Sequence, residues 1–186
     1  EHGRVSFNLA KRPQKEAAAI NKACRELYSH ALFSKYYYQK PEKIVRLTLQ
    51  SAPGARRFFE GEWLEWYAFV QVLRVLKSGG VNGASCARGV EIRFENEDLH
   101  ELDVVVLPPK QSRPVFIECK SGEFRGDIEK YLRIRKRIDL PARHFLLCAS
   151  NIDDAQAQGL SAMYDLTFVS PDTLAERLAP VLCPAK

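Results

Sequence analysis

Residues 101–120 read ELDVVVLPPKQSRPVFIECK, two apolar strands joined by a proline-containing turn. Asp103 opens the first strand, and Glu118, Cys119 and Lys120 close the second. Strand side chains alternate faces, so Glu118 and Lys120 project together, about 7 Å apart at Cα, while Cys119 points the other way. Val115, Phe116 and Ile117 leave no polar face before them, the pattern of a strand covered by helices on both sides. A carboxylate and a lysine ending such a strand are costly to bury for structure alone. They need an occupant.

Outward toward the C-terminus, Ser121 and Gly122 lead to a predicted helix from about Gly126 to Asp139, ended by Pro141. Its acids lie in the first turn and Arg135, Lys136 and Arg137 in the last, which suits the helix dipole. Ile128, Tyr131, Leu132, Ile134 and Ile138 form its apolar side, with Lys130, Arg133 and Arg137 opposite. That basic row can track a phosphate backbone, or can simply be a solvated face. HFLLCAS at 144–150 reads as another buried strand. Asp153 or Asp154 then caps a helix to about Tyr164, LTFVS is a short strand, and Pro171 starts a last helix to about Leu178.

Toward the N-terminus, Val90, Ile92 and Phe94 alternate as a strand, and ENED at 95–98 reads as a solvated turn. Ala55 to Lys77 reads as the longest helix, stopped by Ser78, Gly79 and Gly80. On its wheel Glu60, Tyr67, Gln71 and Arg74 form the wet face, and Glu65 falls opposite, among Phe58, Phe69, Val72 and Leu76. A carboxylate inside an apolar stripe needs a cation, a metal or a proton; the plain alternative is an ion pair with a buried arginine. Residues 1–54 read as a helical lead: a poorly ordered basic start over 1–12, one amphipathic helix from Pro13 to about Tyr37, and a short alternating strand at KIVRLTLQ. Histidines 2, 30, 100 and 144 are scattered and carry no assigned role.

Hydrophobic residues make up 46% of the 186, enough for a core, and the net charge of +5 favours a polyanionic partner without establishing one. Five cysteines without a CxxC pair argue against a disulfide framework or a zinc site and for a reduced, cytoplasmic setting. No apolar run reaches the roughly 18 residues of a membrane span.

Glu65, Asp103, Glu118 and Lys120 therefore stand out together. Carboxylates are hard ligands suited to Mg2+ or Mn2+, and a lysine one pleat away can orient the attacking water or stabilise a phosphoryl transition state. At this point the chain resembles the PD-(D/E)xK nuclease superfamily, with Asp103 as first acid and Glu118, Cys119, Lys120 as the E-x-K; Leu102 stands where the proline would be. GEWLEWY, HELDVVV and FIECKSG look more particularly like the nuclease domain of cyclic-oligoadenylate-activated type III CRISPR ancillary effectors.

That resemblance spans roughly Phe59 to Leu178. It implies an α/β, restriction-endonuclease-like fold with a mixed central sheet flanked by helices, here as a nuclease domain over 55–186. It also implies metal-dependent endonuclease action on DNA, RNA or both in antiviral defence, with Glu65, Asp103 and Glu118 at the metal, Lys120 as the catalytic lysine, and homodimers. No Rossmann-like sensor fits before Ala55, which leaves two expectations open: a sensor domain or sensor partner missing from this chain, or a signal received in a different way. The competing reading is a catalytically silent nucleic-acid-binding or assembly module on the same fold. A phosphohydrolase of small nucleotides is less attractive, for want of a glycine-rich phosphate cradle.

Overall fold

A computed structural model describes residues 3–95, 98–109 and 113–183. The chain forms two compact units, Glu1–Glu60 and Gly61–Lys186.

The first unit is more than a helical lead. Strands β1 (Arg4–Asn8), β2 (Phe33–Gln39) and β3 (Ile44–Leu49) form an antiparallel sheet in the order β1-β3-β2. The stretch expected to be poorly ordered is thus strand over Arg4–Asn8, because its backbone pairs with β3 from Arg4 against Thr48 to Asn8 against Ile44. All five of its side chains are exposed, and the alternation of Val5 and Phe7 with Arg4, Ser6 and Asn8 is too short to stand out among the polar and basic residues around it. Helix α1 (Gln14–Ser29) ends where a second strand begins, well short of Tyr37. Its Ala17, Ile20, Cys24 and Leu27 pack on Val45, Leu47, Tyr36 and Tyr38.

In the second unit β4 (Ser85–Arg93), β5 (Leu99–Leu107), β6 (Val115–Lys120), β7 (Phe145–Ala149) and β8 (Thr167–Val169) lie in sequence order in one sheet. The pairs β4/β5 and β5/β6 are antiparallel, and β6/β7 and β7/β8 parallel. This is the mixed, helix-flanked α/β sheet that the sequence predicts. The turn between β5 and β6 and the ENED turn fall partly outside the described residues.

The expected helix from Ala55 to Lys77 is broken. A short α2 (Pro53–Arg57) and a wide turn over Phe58–Glu62, non-helical at Gly61, precede α3 (Trp63–Ser78). The wet face of α3 also differs from the expected one. Gln71 is buried and Tyr67 half-buried, its hydroxyl donating to the Pro171 carbonyl at 3.0 Å, whereas Trp66, Val70 and Leu73 are exposed. The break at Gly61 takes Phe58 and Glu60 off the wheel, and within α3 residue type misleads, because polar Gln71 is buried while apolar Trp66, Val70 and Leu73 are exposed.

Alternation places Val104, Ile117, Leu146, Cys148 and Val169 on one face, under α3 and α6 (Leu174–Leu182). Val105, Phe116, Leu147 and Phe168 lie on the other, under α4 (Ile128–Arg137) and α5 (Asp154–Met163). The apolar side of α4 is as predicted, but Arg135 in its last turn is buried, bonded to the Leu140 carbonyl and to Asp165. Asp153 caps α5 in a reciprocal box with Gln156. The last helix starts at Leu174 rather than Pro171 and carries Pro180 within it.

Alternation fails once. Leu102 belongs to the α4 side although Val104 and Val106 belong to the α3 side. On β4, Gly89 stands between Arg88, opposite Val104, and Val90, opposite Leu102. Its φ of +59° is a conformation that L side chains adopt at a cost, and a Cβ there would meet Glu101 Oε1 at 3.2 Å. The ribbon turns over at Gly89, across from Asp103.

Candidate active site

The site begins where a ladder ends. Pairing of β5 with β6 stops at Val104 and Ile117, although β6 continues beside β7 to Lys120. Past that point the Asp103 carboxylate replaces the missing strand partner, its Oδ2 accepting from the Cys119 N–H at 2.7 Å. A side chain that substitutes for backbone satisfies a donor that would otherwise be orphaned. It also holds the first acid against the E-x-K strand.

Glu118 lies one residue back, 4% exposed, on the α4 side. Its Oε1 is buried without a hydrogen-bond partner among the described residues. Burial, and then the charge of Asp103, push the Glu118 carboxyl up to about 8, against the opposing pull of Lys120 and Lys130. Asp103 is pushed up to about 6, chiefly by burial, although the Cys119 N–H works the other way. Two carboxyls with raised pKa values, each feeling the other, are a place where a proton or a cation belongs.

Lys120 is on the same face, as alternation requires. Its Nζ lies 3.1 Å from Asp127 Oδ2, just before α4, and 5.7 Å from the centre of the Tyr131 ring. Tyr131, on α4, is almost fully buried, and its hydroxyl is shifted upward by burial and by the Glu118 charge. Cys119 points to the opposite face, packing toward α3 with Cys148 beside it on β7. Burial raises both thiols, and all five cysteines are free.

Glu65 takes the plain alternative. Its Oε2 is 2.7 Å from Arg88 Nη2, and that guanidinium stacks 3.9 Å over the Trp66 ring. The Glu65 charge still raises Asp103, so the residue borders the acid pair. Among the described residues, however, no three His, Cys, Asp or Glu side chains converge as a metal cage. The structure brings Asp103, Glu118 and Lys120 together and turns Glu65 onto Arg88.

Lys130 is half-buried and influences Glu118, while Arg133 and Arg137 are exposed. With Asp98, Leu99, His100 and Ile134 they line a 410 Å³ cleft. Arg137 is committed to Asp98 at 2.9 Å and stacks on Phe94 at 3.8 Å.

Sequence reasoning missed Arg88, Asp127 and Tyr131 as site neighbours and Gly89 as the pivot. Only Gly89 carried a signal, a lone glycine inside an alternating run.

Two solved structures share this fold over nearly the whole chain. Protein VC1899 from Vibrio cholerae matches with a TM-score of 0.59 at 21% identity, over 94% of this chain and 44% of that one. Can2 from Sulfobacillus thermosulfidooxidans, solved in complex with cyclic tetra-adenylate, matches with a TM-score of 0.59 at 16% identity, over 91% and 52%. The chain thus spans about half the length of these proteins. No protein-family model and no curated protein sequence matches it. No described helix is long and apolar enough to cross a membrane.

Proposed function

We propose that residues 61–186 are a divalent-metal-dependent endonuclease of the PD-(D/E)xK type, hydrolysing phosphodiester bonds of DNA or RNA in CRISPR-type antiviral defence. One observation carries the reading: a buried Glu118 with an unpartnered oxygen, beside Asp103 and one pleat from Lys120. An anionic pair in such a place is unfavourable unless something positive joins it.

Hard carboxylate oxygens fit Mg2+ or Mn2+, which take one or two such ligands and keep the rest for water and phosphate. Asp103 and Glu118 would hold the ion, and Glu65 would join only by leaving Arg88. When bound, the ion supplies a water of lowered pKa and offsets charge on the phosphoryl oxygens. The protein's own part is positional. The Cys119 N–H fixes Asp103, burial under α4 fixes Glu118, and Asp127 and Tyr131 restrain Lys120 so that its ammonium faces the developing charge. Lys130 and Arg133 would hold substrate phosphates along α4, and Arg137 would join them only by leaving Asp98.

The likeness to Can2, solved with cyclic tetra-adenylate, supports a cyclic-oligoadenylate signalling context; a sensor acting from outside these residues and a homodimeric nuclease complete the proposal. The Glu65–Arg88 pair favours a second reading, a silent nucleic-acid-binding module. Labelled single- and double-stranded DNA and RNA, incubated with the chain and Mg2+, Mn2+ or EDTA, separate the two. Cleavage abolished by EDTA is expected. Binding without cleavage under every metal would overturn the enzyme reading.

A further inference from the structure

The chain's positive charge is not where its acids are. Residues 1–60 hold 12 Lys and Arg against 5 Asp and Glu, a net of +7, while residues 61–186 hold 16 against 18, a net of −2. Three of those twelve cations, Arg4, Lys35 and Arg46, share one surface.

Helix α1 covers the face of the small sheet that carries Tyr36, Tyr38, Val45 and Leu47. The opposite face displays two rows across the three strands. Arg4, Thr48 and Lys35 are in register, and so are Ser6, Arg46 and Tyr37. Neighbours within a row are about 4.8 Å apart and the rows about 7 Å apart. Together they line a shallow depression of 430 Å³. Arg4, Lys35 and Arg46 are exposed and have no ion pair among the described residues. Glu16 and Glu26 of this unit are instead paired with Arg12 and Lys22. Tyr37 is 62% exposed, whereas Tyr36 turns inward to bond Asn21.

We propose that this sheet face binds a single strand of DNA or RNA, with a base stacked on Tyr37 and phosphates on Arg4, Lys35 and Arg46. Three unpaired cations call for a polyanion, and Ser6 and Thr48 add donors for its oxygens. The exposed ring discriminates among polyanions. A duplex keeps its bases stacked on one another, and an acidic peptide brings carboxylates but no planar partner; an unpaired base offers both charge and a face. The site shares no residue with the acid pair on β5 and β6 and requires no cleavage.

The test is fluorescence anisotropy of a short labelled single strand with the full 186-residue chain in EDTA, across a salt series, with thermal melts confirming that each variant folds. Tyr37→Ala is expected to weaken binding by about 5- to 100-fold, with the salt slope kept. Tyr37→Phe is expected to bind like wild type. Lys35→Ala and Arg46→Ala should each reduce the slope of log K against log salt by about 0.7. Wild-type affinity and slope in all of these variants, or no binding by the wild type, overturns the proposal. So does a duplex or polyglutamate that binds as tightly as the single strand, and so does single-strand binding that Tyr37→Ala leaves unchanged. Tyr37-dependent binding without cleavage in Mg2+ or Mn2+ would sink the nuclease reading and leave this one standing.

Discussion

Both units set a β-sheet against helices, but they use polar residues in opposite ways. The three-stranded sheet of residues 1–60 has one solvated face and spreads its cations there, where each keeps its water and costs little. The five-stranded sheet of residues 61–186 is covered on both faces, and carries Asp103 and Glu118 where β5 and β6 part. Exposed cations can grip a long polyanion at modest energy per contact. Buried acids can hold one ion or proton strongly. On the proposed readings, the first unit does the holding and the second the chemistry.

The sharpest way to break this division is Lys120→Ala. Cleavage should fall by at least about 100-fold, while stability changes by less than about 1 kcal/mol, because the pair with Asp127 is near the surface. Initial rates on labelled nucleic acid, beside a thermal melt, check both. An unchanged rate would remove Lys120 from the reaction.

Glu118 gives the next effect, on stability. Its folded pKa of about 8 lies above the usual 4.5, so the folded state holds a proton that the unfolded chain releases. Stability in EDTA should therefore be highest below about pH 4.5 as far as this group is concerned, and fall by a few kcal/mol as pH rises to about 8. Asp103, raised to about 6, adds to the same slope between its ordinary value and about 6. Glu118→Gln should flatten most of the decline, and Mn2+ should raise the wild-type Tm more at about pH 8 than at about pH 5. Melts across pH with and without metal measure this; a wild-type curve that rises toward pH 8 would contradict it.

Arg88→Ala should cost about 1–3 kcal/mol, since it strips Glu65 of its partner and Trp66 of its stacked cation. Denaturant unfolding reads the loss. If Glu65 is then free to join the acid pair, the variant should bind Mn2+ more tightly than wild type by titration calorimetry.

Smallest is Arg133→Ala, an exposed cation on α4. A few-fold weaker binding, with a salt slope reduced by about 0.7 to 0.9, is expected if α4 touches phosphates. An unaltered slope would leave the grip to the first unit alone.

The second unit's element order was legible because its buried strands are unmixed apolar runs and its helices carry a 3.6-residue period. The neighbourhood of Asp103, Glu118 and Lys120 was legible for the same reason: adjacent strands and a two-residue alternation place side chains without further information. Strand β1 was not, since two apolar residues alternating over five exposed positions are too short a signal until β3 pairs with them. Nor was the buried face of α3, where polar Gln71 is buried and apolar Trp66, Val70 and Leu73 are exposed.

The sequence by itself determined which residues form the covered sheet and which face of β6 carries Glu118 and Lys120, because both depend on short-range periodicity. Tertiary structure alone decided where Glu65 goes, what steadies Lys120, and that β4 and β5 turn over at Gly89 across from Asp103. Those outcomes depend on Arg88, Asp127 and Tyr131, which reach the site through pairing and packing that no local pattern encodes.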